Sequence, residues 1–151
     1  MPKKWITDRS EIDVILNESQ FGSFATVNLD NSPYVVPINY VYHNGKIYFH
    51  CALKGKKLDN IKHNPKACFS AYIVDRIVLT KKSDDTSVHY RSVIVNGKAR
   101  LIDDLTTKME VLKALTNKYN KNSEPPSFEC ASRVGIVEIE IEEITGKKNV
   151  D

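Results

Sequence analysis

Residues 47–57, IYFHCALKGKK, carry a run of aromatic and β-branched residues into His50 and Cys51, then set Lys54, Lys56 and Lys57 around Gly55. Gly55 lets the backbone turn sharply or approach a ligand closely. A helix starting here would present free N–H groups and a partial positive charge, which favour an anion. Two ammonium groups suit that anion to a phosphate monoester: at an effective dielectric of about 20, a charge pair ~4 Å apart is worth roughly 4 kcal/mol. The plainer alternative is a solvated lysine-rich turn. His50, a few residues away, can donate to a ligand or relay a proton; a structural strand-end histidine would leave the same trace in sequence. A Cys51/His50 nucleophile is disfavoured, because adjacent strand residues point to opposite faces. Pro37 interrupts VVPIN and removes a ladder donor, which belongs at an edge or bulge where neighbouring amides can serve a ligand. Asn39 and Tyr40 follow it and offer amide and phenol hydrogen bonds, although Tyr40 could equally pack in the core.

The elements that would hold these residues are mostly short strands. Asp8 and Glu11 form a D-x-x-E capping box before Ile12, Ile15 and Leu16, predicting a helix over 8–18. Strands are expected at 21–29, 34–43 and 46–51, with Asn44-Gly45 as a tight hairpin turn. A short helix over 55–64 stops at Asn64-Pro65. Further strands follow at 66–74 and 89–102, the latter kinked at Gly97. Leu105, Met109, Leu112 and Leu115 recur at helical spacing in 103–120, with acids opening and lysines closing the segment. After a polar loop containing Pro125-Pro126, residues 133–144 alternate almost perfectly, which predicts a strand with Glu138, Glu140 and Glu142 on its wet face. Hairpins with helices inserted between them point to a mainly β, antiparallel barrel and not to a doubly wound sheet.

The chain has 151 residues, 41% hydrophobic and 27% charged, which predicts a single domain over 1–151 with a substantial core. No apolar run approaches the roughly 18 residues that cross a bilayer, and the N-terminal lysines precede no apolar stretch, so a secretory signal is not expected. Cys51, Cys68 and Cys130 are odd in number and lack a CxxC, so neither a disulfide framework nor a metal site is expected, and a reducing cytoplasm is the expected location. A net charge of +3 is too small to imply nucleic acid by itself. Neither a dinucleotide glycine fingerprint nor a P-loop is present.

The stretch VPINYVYHNGKIYFHCALKGKKLDNIKHNPKACFSAY (36–72) resembles the flavin-binding split barrels related to pyridoxamine 5′-phosphate oxidase, within them the 5-nitroimidazole-resistance, nitroreductase-like branch. Its pattern of a proline-bearing strand, YFH, GKK and a short helix ending in NP is shared with that branch, and YRSVIVNGKARLIDD (90–104) is similar to its next barrel strand. The resemblance spans about residues 20–145 and implies a split β-barrel homodimer with FMN held between two chains. It implies that Lys56 and Lys57 grip the flavin phosphate, that Pro37, Ile38 and Asn39 line the isoalloxazine through their backbone, and that Ser92 contacts the flavin. His50 matches the histidine this branch places by the flavin face and is the expected catalytic residue. Cys51 stands where the family often has glycine, bringing bulk or a thiol near the ring or ribityl chain. The oxidase's substrate-phosphate arginines have no counterpart in VEIEIEEITGKKNVD, which points away from vitamin B6 oxidation.

The expected function is an FMN-dependent oxidoreductase taking electrons from NADH or NADPH and reducing a small molecule such as a nitro-aromatic. The cofactor supplies the electron transfer and the protein tunes it. One alternative keeps the barrel as a flavin or haem carrier without turnover. Another is a nucleic-acid-binding barrel using the Lys54–Lys66 stretch with Tyr48 and Phe49 as stacking platforms.

Overall fold

Side-chain alternation builds the sheet. In the strand Ser87–Ile102, Val93, Val95, Gly97 and Ala99 are buried while Ile94, Asn96, Lys98 and Arg100 face outward, the period of two expected of a half-buried strand. The computed structural model describes residues 3–150. In chain order its strands are β1 (Lys4–Ile6), β2 (Gly22–Val27), β3 (Pro33–Ile38), β4 (Val41–His43), β5 (Lys46–Cys51), β6 (Lys66–Val78), β7 (Ser87–Ile102) and β8 (Gly135–Asn149). The helices are α1 (Arg9–Glu18), α2 (Lys56–His63), α3 (Leu105–Tyr119) and α4 (Phe128–Arg133). All strand pairs are antiparallel, in the order β3-β2-β6-β7-β8-β5-β4, with β1 added beside β8. The fold is mainly β with inserted helices, a split barrel. The strands at the two ends of this order, β3 and β4, are consecutive in the chain and separated only by Asn39 and Tyr40.

One apolar cluster fills the barrel and packs it against α1 and α2, with Phe24, Phe49, Phe69 and Tyr40 as its largest members. A second lies outside the wall, where Val41, Tyr48 and Ile136 meet Val111, Leu112 and Leu115 of α3 and Ala131 of α4. Asn44 and Gly45 take positive φ of 51° and 75° at the β4–β5 turn, the pattern of a type I′ hairpin. Gly97 is required for a different reason. A Cβ there would stand 1.8 Å from the Glu140 carbonyl oxygen, at the register shift where β7 passes from Asn96 to Gly97.

Several expectations need correction. Asp8 does cap α1, but it accepts from Ser10 N–H at 2.9 Å, while Glu11 leaves the capping box to pair with Lys148 at 2.6 Å. The single strand expected over 34–43 is broken at Asn39-Tyr40. β6, β7 and β8 run longer than their alternation suggested, and β1 and α4 went unread. Glu138 is not on a wet face. Tyr48 of β5 and Arg100 of β7 sit directly opposite it, and it accepts from Tyr48 Oη at 3.0 Å and Arg100 Nε at 3.0 Å, with Lys46 Nζ at 3.3 Å. Burial works against its charge, but the hydrogen bonds, Arg100's first, outweigh it and hold the carboxyl below its usual pKa.

Gly97→Ala is expected to lower stability by about 2–3 kcal/mol, since backbone must move to admit the methyl. Gly45→Asn, at an open turn, should cost less than ~1 kcal/mol. Urea denaturation of the two variants checks the contrast.

Candidate functional site

Three chain segments converge where the barrel is split. The end of β3 brings Pro37 and Ile38 with Asn39 just beyond it, the end of β5 brings Phe49, His50 and Cys51, and the segment leading into the first turn of α2 brings Ala52 and Lys57. Together they line a cleft of about 200 Å³. β3 pairs only with β2, and an edge strand tolerates the donor missing at Pro37. Phe49 is fully buried against Phe24, ring centroids 4.8 Å apart, and makes a rigid floor. His50 is exposed, and neither its imidazole nor the Asn39 side chain has a hydrogen-bond partner among the described residues. Cys51 packs toward the barrel core. Burial raises its thiol pKa and Lys57 only partly opposes this, so the sulfur is no ready nucleophile.

The split is held open by a specific clamp. Tyr40 has no exposed surface and its ring meets Phe69 edge-on at 4.7 Å. Its hydroxyl donates to the Leu16 carbonyl at 2.7 Å, satisfying a carbonyl near the end of α1. Its backbone, lacking a strand partner, is served by α3. Tyr40 N–H donates to Tyr119 Oη at 3.2 Å, and Lys118 Nζ donates to the Tyr40 carbonyl at 2.9 Å. Lys118 also lies 3.6 Å from the Tyr40 ring centroid, and Tyr119 donates onward to the Gln20 carbonyl. These bonds fix the backbone beside Asn39. Sequence periodicity read α3 as a helix but could not show that two polar residues at its end replace a strand.

α2 is anchored from below. Buried Asn60 donates to Thr26 Oγ1 at 3.1 Å and to Asn28 Oδ1 at 3.0 Å, and the Pro65 carbonyl accepts from Ala99 N–H at 2.8 Å. Its N-terminus begins at Gly55, φ 155°, with no side-chain cap, so first-turn amides are left for another acceptor. The two lysines there diverge, as neighbours on a helix must. Lys57 lines the cleft, whereas Lys56 Nζ lies 4.6 Å over the Tyr34 ring, beside a separate depression shared with Asp30 and Asp59. Ser92 is also elsewhere: it sits on β7 opposite Tyr72, its hydroxyl donating to the Lys147 carbonyl at 3.0 Å. Six of the eight expected site residues are therefore brought together in one cleft, and Lys56 and Ser92 are not. Tyr48 and Phe49 are buried in the barrel wall and offer no face on which a base could stack.

A family model described as pyridoxamine 5′-phosphate oxidase matches residues 8–148. The chain belongs to that family. No curated protein matches it. Among solved structures, this member of the pyridoxamine 5′-phosphate oxidase family is similar to a candidate 5-nitroimidazole antibiotic resistance protein from Bacteroides thetaiotaomicron. The two share 24% identity over 97% of this chain and 87% of the other, with a TM-score of 0.86. It is also similar to an FAD- and heme-binding protein from Mycobacterium smegmatis, at 20% identity over 98% and 74% of the two chains and a TM-score of 0.85. The flavocytochrome Anf3 from Azotobacter vinelandii follows at 18% identity, 97% and 70% coverage and a TM-score of 0.82. At these identities the likeness is one of fold.

Burial pushes the Lys118 ammonium down to about 8 from an ordinary 10.5. Between those values the unfolded chain binds more protons, so this group's contribution to stability is present above the unfolded pKa and is lost as pH falls through about 8. The stability difference between wild type and Lys118→Met is expected to shift in favour of wild type as pH rises across that window. Denaturation midpoints at several alkaline pH values check it; a constant difference would contradict the assignment.

Proposed function

We propose that this chain is an FMN-binding oxidoreductase that reduces a small molecule with electrons from NADH or NADPH. The observation that carries the reading is the cleft in which Pro37, Ile38, Asn39, His50, Cys51 and Lys57 converge beside the uncapped start of α2. The donor set fits the cofactor. The first-turn amides of α2 and the Lys57 ammonium suit a phosphate, and the backbone from Pro37 to Asn39 offers an edge against which a flat ring system can lie. When bound, the flavin supplies the two-electron chemistry. The chain's own residues hold its phosphate, keep its ring against the barrel edge and place the His50 imidazole where it can donate or accept a proton at the reacting substrate. Lys56, turned toward Tyr34, contributes charge to the phosphate from farther off. The flavocytochrome and the FAD- and heme-binding protein named above bind redox cofactors on this fold, which supports the reading without fixing the cofactor here.

A cleft of about 200 Å³ is too small to enclose a tricyclic ring, a ribityl chain and a phosphate. The resemblance to split-barrel flavoproteins puts the remainder of the cofactor against a second copy, so that the functional unit is a homodimer with a flavin at each shared face. The outer face of the sheet exposes Tyr72 and Ile94 beside Ser92, apolar surface of the sort that marks an interface. Ser92 then serves the site from the partner's side.

The double substitution Lys56→Ala with Lys57→Ala is expected to weaken FMN binding by about tenfold to a hundredfold, in keeping with the loss of one strong charge-assisted contact and one weaker one. Titration followed by flavin fluorescence measures it, with circular dichroism showing that the fold persists. Undiminished affinity in a folded double variant would remove the phosphate assignment.

A further inference from the structure

A second cavity, of about 390 Å³, lies beside the first, between α3, α4 and the ends of β3 and β5. The two share Asn39 and His50 as a common wall. We propose that this chamber is the substrate site, and that it takes an uncharged single-ring compound oriented with its one polar group toward Asn39 and His50. The inference rests on the flavin reading for the identity of the neighbouring cleft, but the chamber's own chemistry is independent of it.

Three observations carry the proposal. First, the volume falls at the small end of the ~300–1,000 Å³ typical of ligand pockets, enough for one ring with a substituent. Second, Leu112, Leu115 and Val134 give the chamber an apolar body, and no lysine, arginine, aspartate or glutamate lines it. Lys118, next in sequence to a lining residue, turns its ammonium to the Tyr40 carbonyl. A buried anion would find no lysine or arginine there to offset the cost of its desolvation. Third, the polar groups of the chamber are not equally available. The Tyr119 hydroxyl is committed to Tyr40 and Gln20, and the Thr116 hydroxyl donates to the Leu112 carbonyl at 2.9 Å. The Asn39 amide and the His50 imidazole have no partner among the described residues. The unspent hydrogen-bonding capacity therefore sits on the wall facing the cofactor cleft. A ligand that buries its ring against α3 must point its polar group at that wall, which is the orientation a reaction across it requires. On this reading α3 and α4 set substrate choice, and Leu115 and Thr116 are specificity-determining positions.

Benzamide and benzoate, nearly isosteric and differing in charge, test the idea by titration into isotopically labelled protein with backbone amide shifts as the readout, with and without FMN. Benzamide is expected to move amides of α3 and α4 and to bind about tenfold or more tighter than benzoate. Leu115→Trp, which fills the chamber, should weaken benzamide binding by about tenfold while FMN binding stays unchanged. Thr116→Trp serves if the first variant does not fold, and the wild-type shift map decides on its own if neither does. Equal affinity for the two probes, shifts confined to other elements, or unchanged benzamide binding in a folded filled variant would overturn the chamber assignment. Benzamide binding at α3 and α4 in a protein that takes up no FMN would keep the chamber and defeat the flavin reading instead.

Discussion

A barrel that does not close must satisfy the backbone at its seam by some other means, and here Tyr40 bears that burden. Buried backbone N–H and C=O groups are rarely left unpaired, yet Tyr40 lies between two edge strands that do not pair with each other. The solution is borrowed from a distant helix. Tyr119 and Lys118 supply the acceptor and the donor that a neighbouring strand would have provided, while the Tyr40 ring and hydroxyl tie the same residue to Phe69 and Leu16. The Tyr40 backbone groups at the seam are thus hydrogen-bonded without a neighbouring strand, and the side of Asn39 is left open to a ligand.

The site follows from that opening. A closed ladder between β3 and β4 would bury the edge at Pro37–Asn39 and leave no place for the cleft. Because the helix that clamps the seam also carries Leu112, Leu115 and Thr116, one element both opens the cofactor cleft and walls the neighbouring chamber. α2 contributes separately. Its Asn60 locks it onto β2 and its Asn64-Pro65 end onto β7, so its N-terminus is presented without needing a cap of its own. Electrostatics then has a fixed geometry on which to act: Lys57 faces the cleft and Lys56 does not.

Much of this could be read from residue pattern. The Asn44-Gly45 hairpin, the kink at Gly97 and the helices α1 to α3 each leave a local signal of turn chemistry, alternation or helical spacing, and each lies near its expected place. The cleft was legible through Pro37, His50 and the GKK run. What escaped depends on contacts between segments far apart in sequence. YVVPINYVYH alternates like one strand, and only the clamp from α3 shows that it is two. Glu138 alternates like a solvated residue, and its burial arises from Tyr48 and Arg100 standing opposite it on both neighbouring strands. Ser127, which caps α4 by accepting from Cys130 N–H at 3.1 Å, was a usable but weak helix signal in a polar loop. The divergence of Lys56 from Lys57 follows from helical geometry once the helix start is known.

The central claim is that the seam beside Tyr40 and the start of α2 together form the seat of a phosphate-bearing flavin. A crystal structure of the chain grown with FMN tests this directly. The account predicts the phosphate within hydrogen-bonding distance of the first-turn amides of α2 and of Lys57 Nζ, and the ring system against the backbone of Pro37 to Asn39. A phosphate seated elsewhere on the barrel, or a flavin that leaves the split edge uncovered, would contradict it.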